Sequence, residues 1–449
     1  MCRIICGVEE MNIFDTVNEY VERNYYVDVA DKVPVFICSI GTHIFNGLNK
    51  CGTCPFIPTG DENETFAIDA CILRHDKRPI YTPMSHVADT RLHILMRGMK
   101  GSGKSVLINL FLSPNTGLLS NPANAEIGMG FRTDIGANSI TEAGMFGSVN
   151  EDGEVMGRPL AREMCGGFLG FEEFSALVNA GRKEHSADIT DQLLTSTDNG
   201  RVKKVMKAGW VEYTTKFTLW AGTQPARFEL ESGLDRRFFI IDIEMNPEKE
   251  MLFKKAQAKQ ASMPSSERAE LVELNLKIRE FFTERAMEVI MNPPKGLFFD
   301  DAFNEWLFRP EVRSHEADLF RRLALGHAIM SPEYEGGDIL YIEMTDQLRT
   351  ILDRCLEMRR TVMDADLKLI KTAFWNTQMS RSNIIKEVAR MITNGDYQAS
   401  KRWIEDNLLH QGWYKEERSS GGGRGRKGVQ VLIGYSPRKI KAEQKEVSQ

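Results

Sequence analysis

The sequence predicts an α/β fold: a sheet whose strands alternate with helices, a helical lid, a small N-terminal domain and a C-terminal helix-turn-helix carrying a wing. Three observations predict it. Short apolar runs at residues 91–98, 167–171, 217–221 and 238–243 alternate with stretches of helical periodicity, as strands joined through helices do. The first run, RLHILMRG, passes through a glycine-rich turn into the apolar-faced SVLINLFL, which reads as strand, loop, helix. Near the C-terminus, LKLIKTAFWN, SRSNIIKEVARMI and YQASKRWIEDNLLHQG have helical periodicity and precede two short strands around SSGGGRGRKG.

At 449 residues the chain spans roughly two to three usual domain lengths, so one large core with smaller appendages is expected. Composition changes place an N-terminal domain at 1–88, an α/β core at 89–247, a helical linker and lid at 248–365, the helix-turn-helix and wing at 366–435, and a basic tail at 436–449. Residues 248–290 and the segment ADLFRRLALGHAIM supply the helical patterns of the lid. With 42% apolar and 27% charged residues, the composition is that of an ordinary globular protein. Apolar runs of eighteen or more residues do not occur, so no membrane partner is expected. The N-terminus lacks a basic region followed by a long apolar stretch, and a cytoplasmic location is the expectation. Eight cysteines in a reducing compartment should be free thiols or metal ligands. The formal charge of −6 is uneven: residues 380–449 hold fourteen Lys/Arg against eight Asp/Glu, about +6, leaving about −12 elsewhere.

GMKGSGKS, residues 98–105, satisfies G-x-x-x-x-G-K-S/T at Gly98, Gly103, Lys104 and Ser105 between a strand and a helix. The chemistry needs those residue types. Glycines let backbone N–H groups turn toward phosphate oxygens, and the helix N-terminus adds a favourable dipole. Lys104 reaches the β and γ phosphates and Ser105 binds magnesium, while Lys100, Gly101, Ser102 and Val106 complete the loop. ATP and Mg2+ are therefore the expected ligands. A glycine turn with a chance lysine is the competing reading.

A phosphate-loop motor also needs acids at the end of a neighbouring strand, one for the metal's water shell and one to polarise the attacking water. GGFLGFEEF offers Glu172 for the metal and Glu173 as the base, against the alternative of two solvated glutamates opening a helix. KFTLWAGTQP ends a strand in polar residues, with Thr223 or Gln224 the candidate to face the γ-phosphate. SGLDRRFFIID then presents two arginines before a strand. Arg237 is the first choice, and Arg236 the second, for a guanidinium that stabilises transition-state charge in a neighbouring subunit. An ion pair with Asp235 or another acidic neighbour is the structural alternative.

Residues 91–244 resemble the AAA+ module of the minichromosome-maintenance replicative helicases. ANSITEAGMFGSVNEDGEV looks like that family's insert between the phosphate loop and the acid strand, and LLTSTDNGRVKKVMKAGWVEYTT is similar to its helix followed by a hairpin with a Lys-Ala-Gly tip. The resemblance implies that the tip, Lys207, Ala208 and Gly209, points into the channel of a ring and that Lys207 touches single-stranded DNA. Lys203 and Lys204 would add phosphate contacts. From the residues alone, a basic solvated hairpin is the other reading. Gln224 stands where the family has an asparagine, and LDRRF where it has Ser-Arg-Phe, which supports Arg237. In RSHEADLFRRLALGHA, His315 falls where the family's second-sensor arginine belongs, so Arg313 or Arg321 would take the nucleotide contact. The N-terminal part is shorter than the family's, as in a compact relative from a virus or mobile element.

Cys51, Cys54, Cys71 and His75 form two short-spaced pairs compatible with one tetrahedral Zn2+, with Cys38 and His43 as competing ligands and unliganded thiols as the alternative. In the C-terminal part, Ile384, Ile385, Val388, Trp403, Leu408 and Leu409 should form a small core. Lys401 and Arg402 begin the expected recognition helix, and Arg418, Arg424, Arg426 and Lys427 line the glycine-rich wing for duplex DNA. Together these readings imply a ring-forming, hexameric, ATP-dependent DNA helicase acting in replication. Two alternatives stay open: an initiator or helicase loader that binds DNA through the wing without unwinding, and a remodeller of proteins, which would use aromatic channel residues.

Overall fold

The computed structural model describes residues 11–24, 32–46, 91–98, 101–114, 116–120, 131–136, 140–152, 155–156, 159–174, 189–198, 200–224, 237–243, 247–292, 294, 296–314, 316–374, 378–393, 395–405, 414–418 and 429–433. They divide into two compact units, 1–223 with 236–356, and 224–235 with 357–449.

The larger unit begins with α1 (Ile13–Asn24), whose Ile13, Phe14, Val17 and Val21 make one buried stripe at helical spacing. The next helix, α2 (Val33–Asn46), is buried on all sides from Val33 to Phe45, as a helix apolar all round must be. β1 (His93–Gly98) precedes a glycine-rich turn, described at residues 101–103, that opens α3 (Lys104–Leu112). β2 (Thr133–Ile135) precedes a short helix, α4 (Glu142–Phe146), which Thr141 caps by accepting from the Gly144 N–H. A small ribbon of β3 (Ser148–Val149) and β4 (Val155–Met156) and the one-turn α5 (Leu160–Glu163) lead to β5 (Phe168–Phe171). After α6 (Ile189–Asp198) comes the antiparallel hairpin of β6 (Arg201–Met206) and β7 (Gly209–Thr214), then β8 (Thr218–Thr223) and β9 (Phe238–Ile243).

Five of these strands form one parallel sheet in the order β2-β5-β8-β1-β9, flanked by helices. Strands β1, β5 and β8 are buried at every position, as strands covered on both faces are. The result is an α/β architecture compatible with phosphate-loop proteins. One expectation changes. β5, which carries the two glutamates at its end, is separated from β1 by β8 and is not its neighbour.

Part of the segment expected to stand apart as residues 1–88 belongs to this unit. In α2, Ser39 Oγ donates to the Leu92 carbonyl at 2.6 Å and accepts from Trp220 Nε1 at 2.9 Å, while Thr42 Oγ1 accepts from the Leu92 N–H at 3.1 Å. His43 bridges Thr218 Oγ1 (2.7 Å) and the Gly166 carbonyl (3.0 Å), and Phe36 packs against Phe111 and Trp220. These bonds satisfy the polar groups of a fully buried helix.

The chain after β9 contains α7 (Pro247–Ala261), α8 (Ser265–Met291), β10 (Gly296–Phe299), α9 (Asp301–Leu307), α10 (Ala317–Met330) and β11 (Ile339–Ile342), with β10 and β11 paired in parallel. α10 crosses α2 at a pair of glycines. A Cβ on Gly326 would fall on the carbonyl oxygen of Cys38, and one on Gly41 on the carbonyl oxygen of Gly326. Alanine at Gly326 would gain roughly 1 kcal/mol of helix propensity. Overpacking against rigid backbone costs about 1–3 kcal/mol or more, so the clash wins. Gly326→Ala should therefore lower the thermal midpoint, and a midpoint raised by the substitution would contradict this close crossing.

A long helix, α11 (Asp346–Phe374), runs into the second unit, which adds β12 (Gln378–Ser380), α12 (Arg381–Met391), α13 (Tyr397–Ile404), β13 (Tyr414–Arg418) and β14 (Val429–Ile433). Its strands pair antiparallel in the order β12-β14-β13. Gly395, at φ +99°, turns the chain between α12 and α13, whose N-cap Asp396 accepts from the N–H groups of Gln398 and Ala399. Ile370, Ile384, Ile385, Val388 and Ile404 form the core, with Trp403 only partly buried at its edge. Leu408 and Leu409 lie outside the described residues. Among the described residues, no helix is long and apolar enough to cross a membrane.

Candidate functional site

The carboxyl ends of β1, β8 and β5 lie side by side, because the register pairs Arg97 with Thr223 and Ala221 with Phe171. Open parallel sheets bind ligands outside this edge. Gly101 and Gly103 have φ of +83° and +95°, a left-handed backbone readily adopted by glycine. Gly103 is the N-cap of α3, and no side chain caps that helix, so its dipole faces the edge ready for an anion.

Lys104 is 7% exposed and donates from Nζ to the Gly98 carbonyl at 2.7 Å. Burial lowers the pKa of its ammonium, and the charge of Glu173 opposes that shift. Glu172 turns toward α3. Asn109 Nδ2 donates to Glu172 Oε1 and to the Ser105 carbonyl, both at 2.8 Å, fastening the carboxylate over the turn that carries Ser105. Thr223 ends β8 fully buried, and among the described residues its Oγ1 has no hydrogen-bond partner. A buried hydroxyl at a ligand edge with no internal partner fits a group that binds water or substrate.

These residues fit a magnesium nucleotide. The Ser105 hydroxyl and Glu172 carboxylate are hard oxygen donors of the kind that hold magnesium through a largely intact water shell. A Cβ on Gly222 would lie 2.7 Å from the Glu172 carbonyl oxygen and 3.3 Å from Lys104 Cβ, so the acid and the lysine meet across a residue that must be small. Gly98 ends β1, Ser102 lies in the turn, Val106 lies in the first turn of α3, Gln224 directly follows Thr223, and Lys100 lies outside the described residues.

Arg237 precedes β9, and its Nη2 is 2.9 Å from Asp198 Oδ2 at the end of α6, with the Arg237 side chain 23% exposed. Among the described residues Asp198 is thus an acidic partner of Arg237, and Asp235 lies outside them. Arg236 lies outside the described residues. Arg313 is exposed ahead of α10 and Arg321 is half-buried on it. Neither is hydrogen-bonded or ion-paired to the phosphate loop among the described residues. The adjacent Arg322 serves structure, donating to the Arg91 carbonyl and to Asp318 Oδ2, both at 2.7 Å.

The hairpin corrects the reading of three equivalent lysines. Strand alternation puts Lys204 on the inner face with the buried Val202, where its Nζ is 2.8 Å from Glu142 Oε1. Both partners are largely buried, so this pair anchors the hairpin to α4. Lys203 is half-exposed, but Glu212 lies opposite it and pairs with both Lys203, at 3.3 Å, and Arg201. Lys207 is different. With Ala208 it makes the two-residue turn, it is exposed, and no hydrogen bond or ion pair joins it to the other described residues.

In the second unit Lys401 lies on α13 with its Nζ 5.1 Å from the centre of the Tyr397 ring, and Arg402 is exposed beside it. Arg418 ends β13, while Arg424, Arg426 and Lys427 lie outside the described residues, as do Cys51, Cys54, Cys71, His75 and His315. Cys38 and His43 do not compete as zinc ligands: Cys38 is buried beside Gly326, burial pushes its thiol pKa well up, and both ring nitrogens of His43 are engaged. Among the described residues, no cluster of three or more His, Cys, Asp or Glu is arranged for a metal.

Scans against protein-family models and against curated proteins return no match to this chain. Asn109 and Asp198 are the site residues that the sequence reading missed. Asn109 had a signal, since a lone amide interrupts the apolar SVLINLFL four residues after Ser105.

Proposed function

We propose that this chain is an AAA+ motor of the minichromosome-maintenance kind, a ring-forming, hexameric, magnesium- and ATP-dependent DNA helicase with a C-terminal winged helix. One observation carries the reading. The hairpin that exposes Lys207 lies in the chain between the acid-bearing β5 and the Thr223-bearing β8, so both of its ends lead back to strands of the nucleotide edge. A change at that edge is thereby positioned to move the tip. The helix-turn-helix order of the second unit supports a DNA partner.

In this mechanism the loop amides and Lys104 bind the β and γ phosphates of ATP, and Ser105 and Glu172 would hold a magnesium ion, which would supply neutralisation of phosphate charge. Glu173 accepts the proton of the attacking water. Thr223, with Gln224 next to it, orients that water, and Arg237 completes the site of the adjacent copy. Positioning and electrostatic stabilisation supply most of the rate in such reactions.

ATP turnover with and without single-stranded DNA tests the reading. Native protein should be stimulated by the strand. Lys104→Ala should lose about 10²–10³-fold in turnover under both conditions. Lys207→Ala should keep the DNA-free rate and lose the stimulation. Turnover indifferent to DNA would instead favour the loader or initiator, which gives Lys207 no task.

A further inference from the structure

The hairpin tip carries an apolar feature that phosphate binding leaves unexplained. Val202 and Val211 are buried and fix one face. The other face presents Arg201, Lys203 and Val205 from β6 and Trp210 and Glu212 from β7, with Val205 directly opposite Trp210. Val205 is 76% exposed and Trp210 67% exposed, an unusual placement for two large apolar side chains. Strand pairing alone does not require an indole there, because a second β-branched residue opposite Val205 serves the ladder as well.

The surroundings indicate the occupant. Arg201, Lys203 and the turn residue Lys207 stand against the single carboxylate of Glu212, so the exposed face is cationic. A flat π-surface beside a cationic turn matches a polymer that offers a planar ring and an anion in every repeat, and a polypeptide does not. Resting on the proposed single-strand function, we infer that Trp210 is a stacking platform for an unpaired nucleobase, with Val205 flanking the indole and Lys207 neutralising an adjoining phosphate. Base stacking on an aromatic side chain is tolerant of sequence, which suits a strand that must pass whatever its bases.

Fluorescence anisotropy tests this with labelled oligothymidylate and an abasic strand of equal length, in magnesium and a non-hydrolysable ATP analogue over a range of salt. Native protein should prefer the strand with bases. Trp210→Val should weaken oligothymidylate binding roughly five- to a hundredfold, leave the abasic strand unaffected and keep the salt dependence. Trp210→Phe should restore most of the preference, which separates stacking from collapse of the hairpin. Lys207→Ala should weaken both strands and reduce the slope of log K against log salt by about 0.7 for each phosphate no longer neutralised. Oligothymidylate binding unchanged in Trp210→Val would overturn the stacking role while the Lys207 result still supports the single-strand reading. Binding to neither strand would overturn both, and Trp210-dependent capture of a reduced, unfolded polypeptide without preference for bases would reassign the tip to protein substrates.

Discussion

Arg237→Ala should lower ATP turnover by about 10³–10⁵-fold, the range associated with an arginine that stabilises transition-state charge from a neighbouring subunit. The structure holds Arg237 in an ion pair with Asp198, whose side chain is 54% exposed. With the acid half-exposed, this one ion pair contributes only about 0.2–1 kcal/mol, small against the rate expected from contact with a neighbour's phosphate. Two controls separate catalysis from structure. Asp198→Asn should keep most of the turnover and lose no more than about 1 kcal/mol of stability. Mixing Arg237→Ala with Lys104→Ala subunits should restore part of the activity, because interfaces form that pair an intact phosphate loop with an intact arginine. No recovery, together with a large fall in the thermal midpoint of Arg237→Ala alone, would make Arg237 a structural residue.

Glu173→Gln should lower turnover by about 10²–10⁴-fold while ATP still binds, since the amide keeps the shape of the side chain but cannot take a proton. The two adjacent acids should separate in their behaviour. Glu172 is fastened over Ser105 by Asn109, so Glu172→Gln should raise the magnesium concentration needed for half-maximal turnover. The charge of Glu173 acts on Lys104, and in the proposed mechanism it is the base and not a magnesium ligand, so its loss should not be rescued by magnesium. Full turnover in Glu173→Gln would assign the base elsewhere along the edge.

Much of this edge was legible because local rules set it. The strands read at 91–98, 167–171, 217–221 and 238–243 and the helix Ala317–Met330 follow from periodicity, and the structure forms them with boundaries shifted by up to two residues. Long-range packing was less legible. Nothing local says that β8 inserts between β1 and β5, because strand order is set by how the crossover connections pack. The apolar VPVFICSIGTHIFN reads equally as the core of a separate domain, and only the match of Ser39, Thr42 and His43 to partners on the sheet places it in the larger unit. Lys204 was available to closer reading: in RVKKVM it shares strand parity with Val202, which directs it inward. Asp198 was not, since 39 residues separate it from Arg237.

Strand displacement on a forked DNA duplex, with ATP and magnesium, tests the central claim most directly. Native protein should displace the strand, Glu173→Gln should bind the fork without displacing it, and Lys207→Ala should hydrolyse ATP but fail to unwind. Hydrolysis by the native protein with no displacement at any salt concentration or fork length would contradict the helicase reading and turn attention to a duplex site bound by the C-terminal unit.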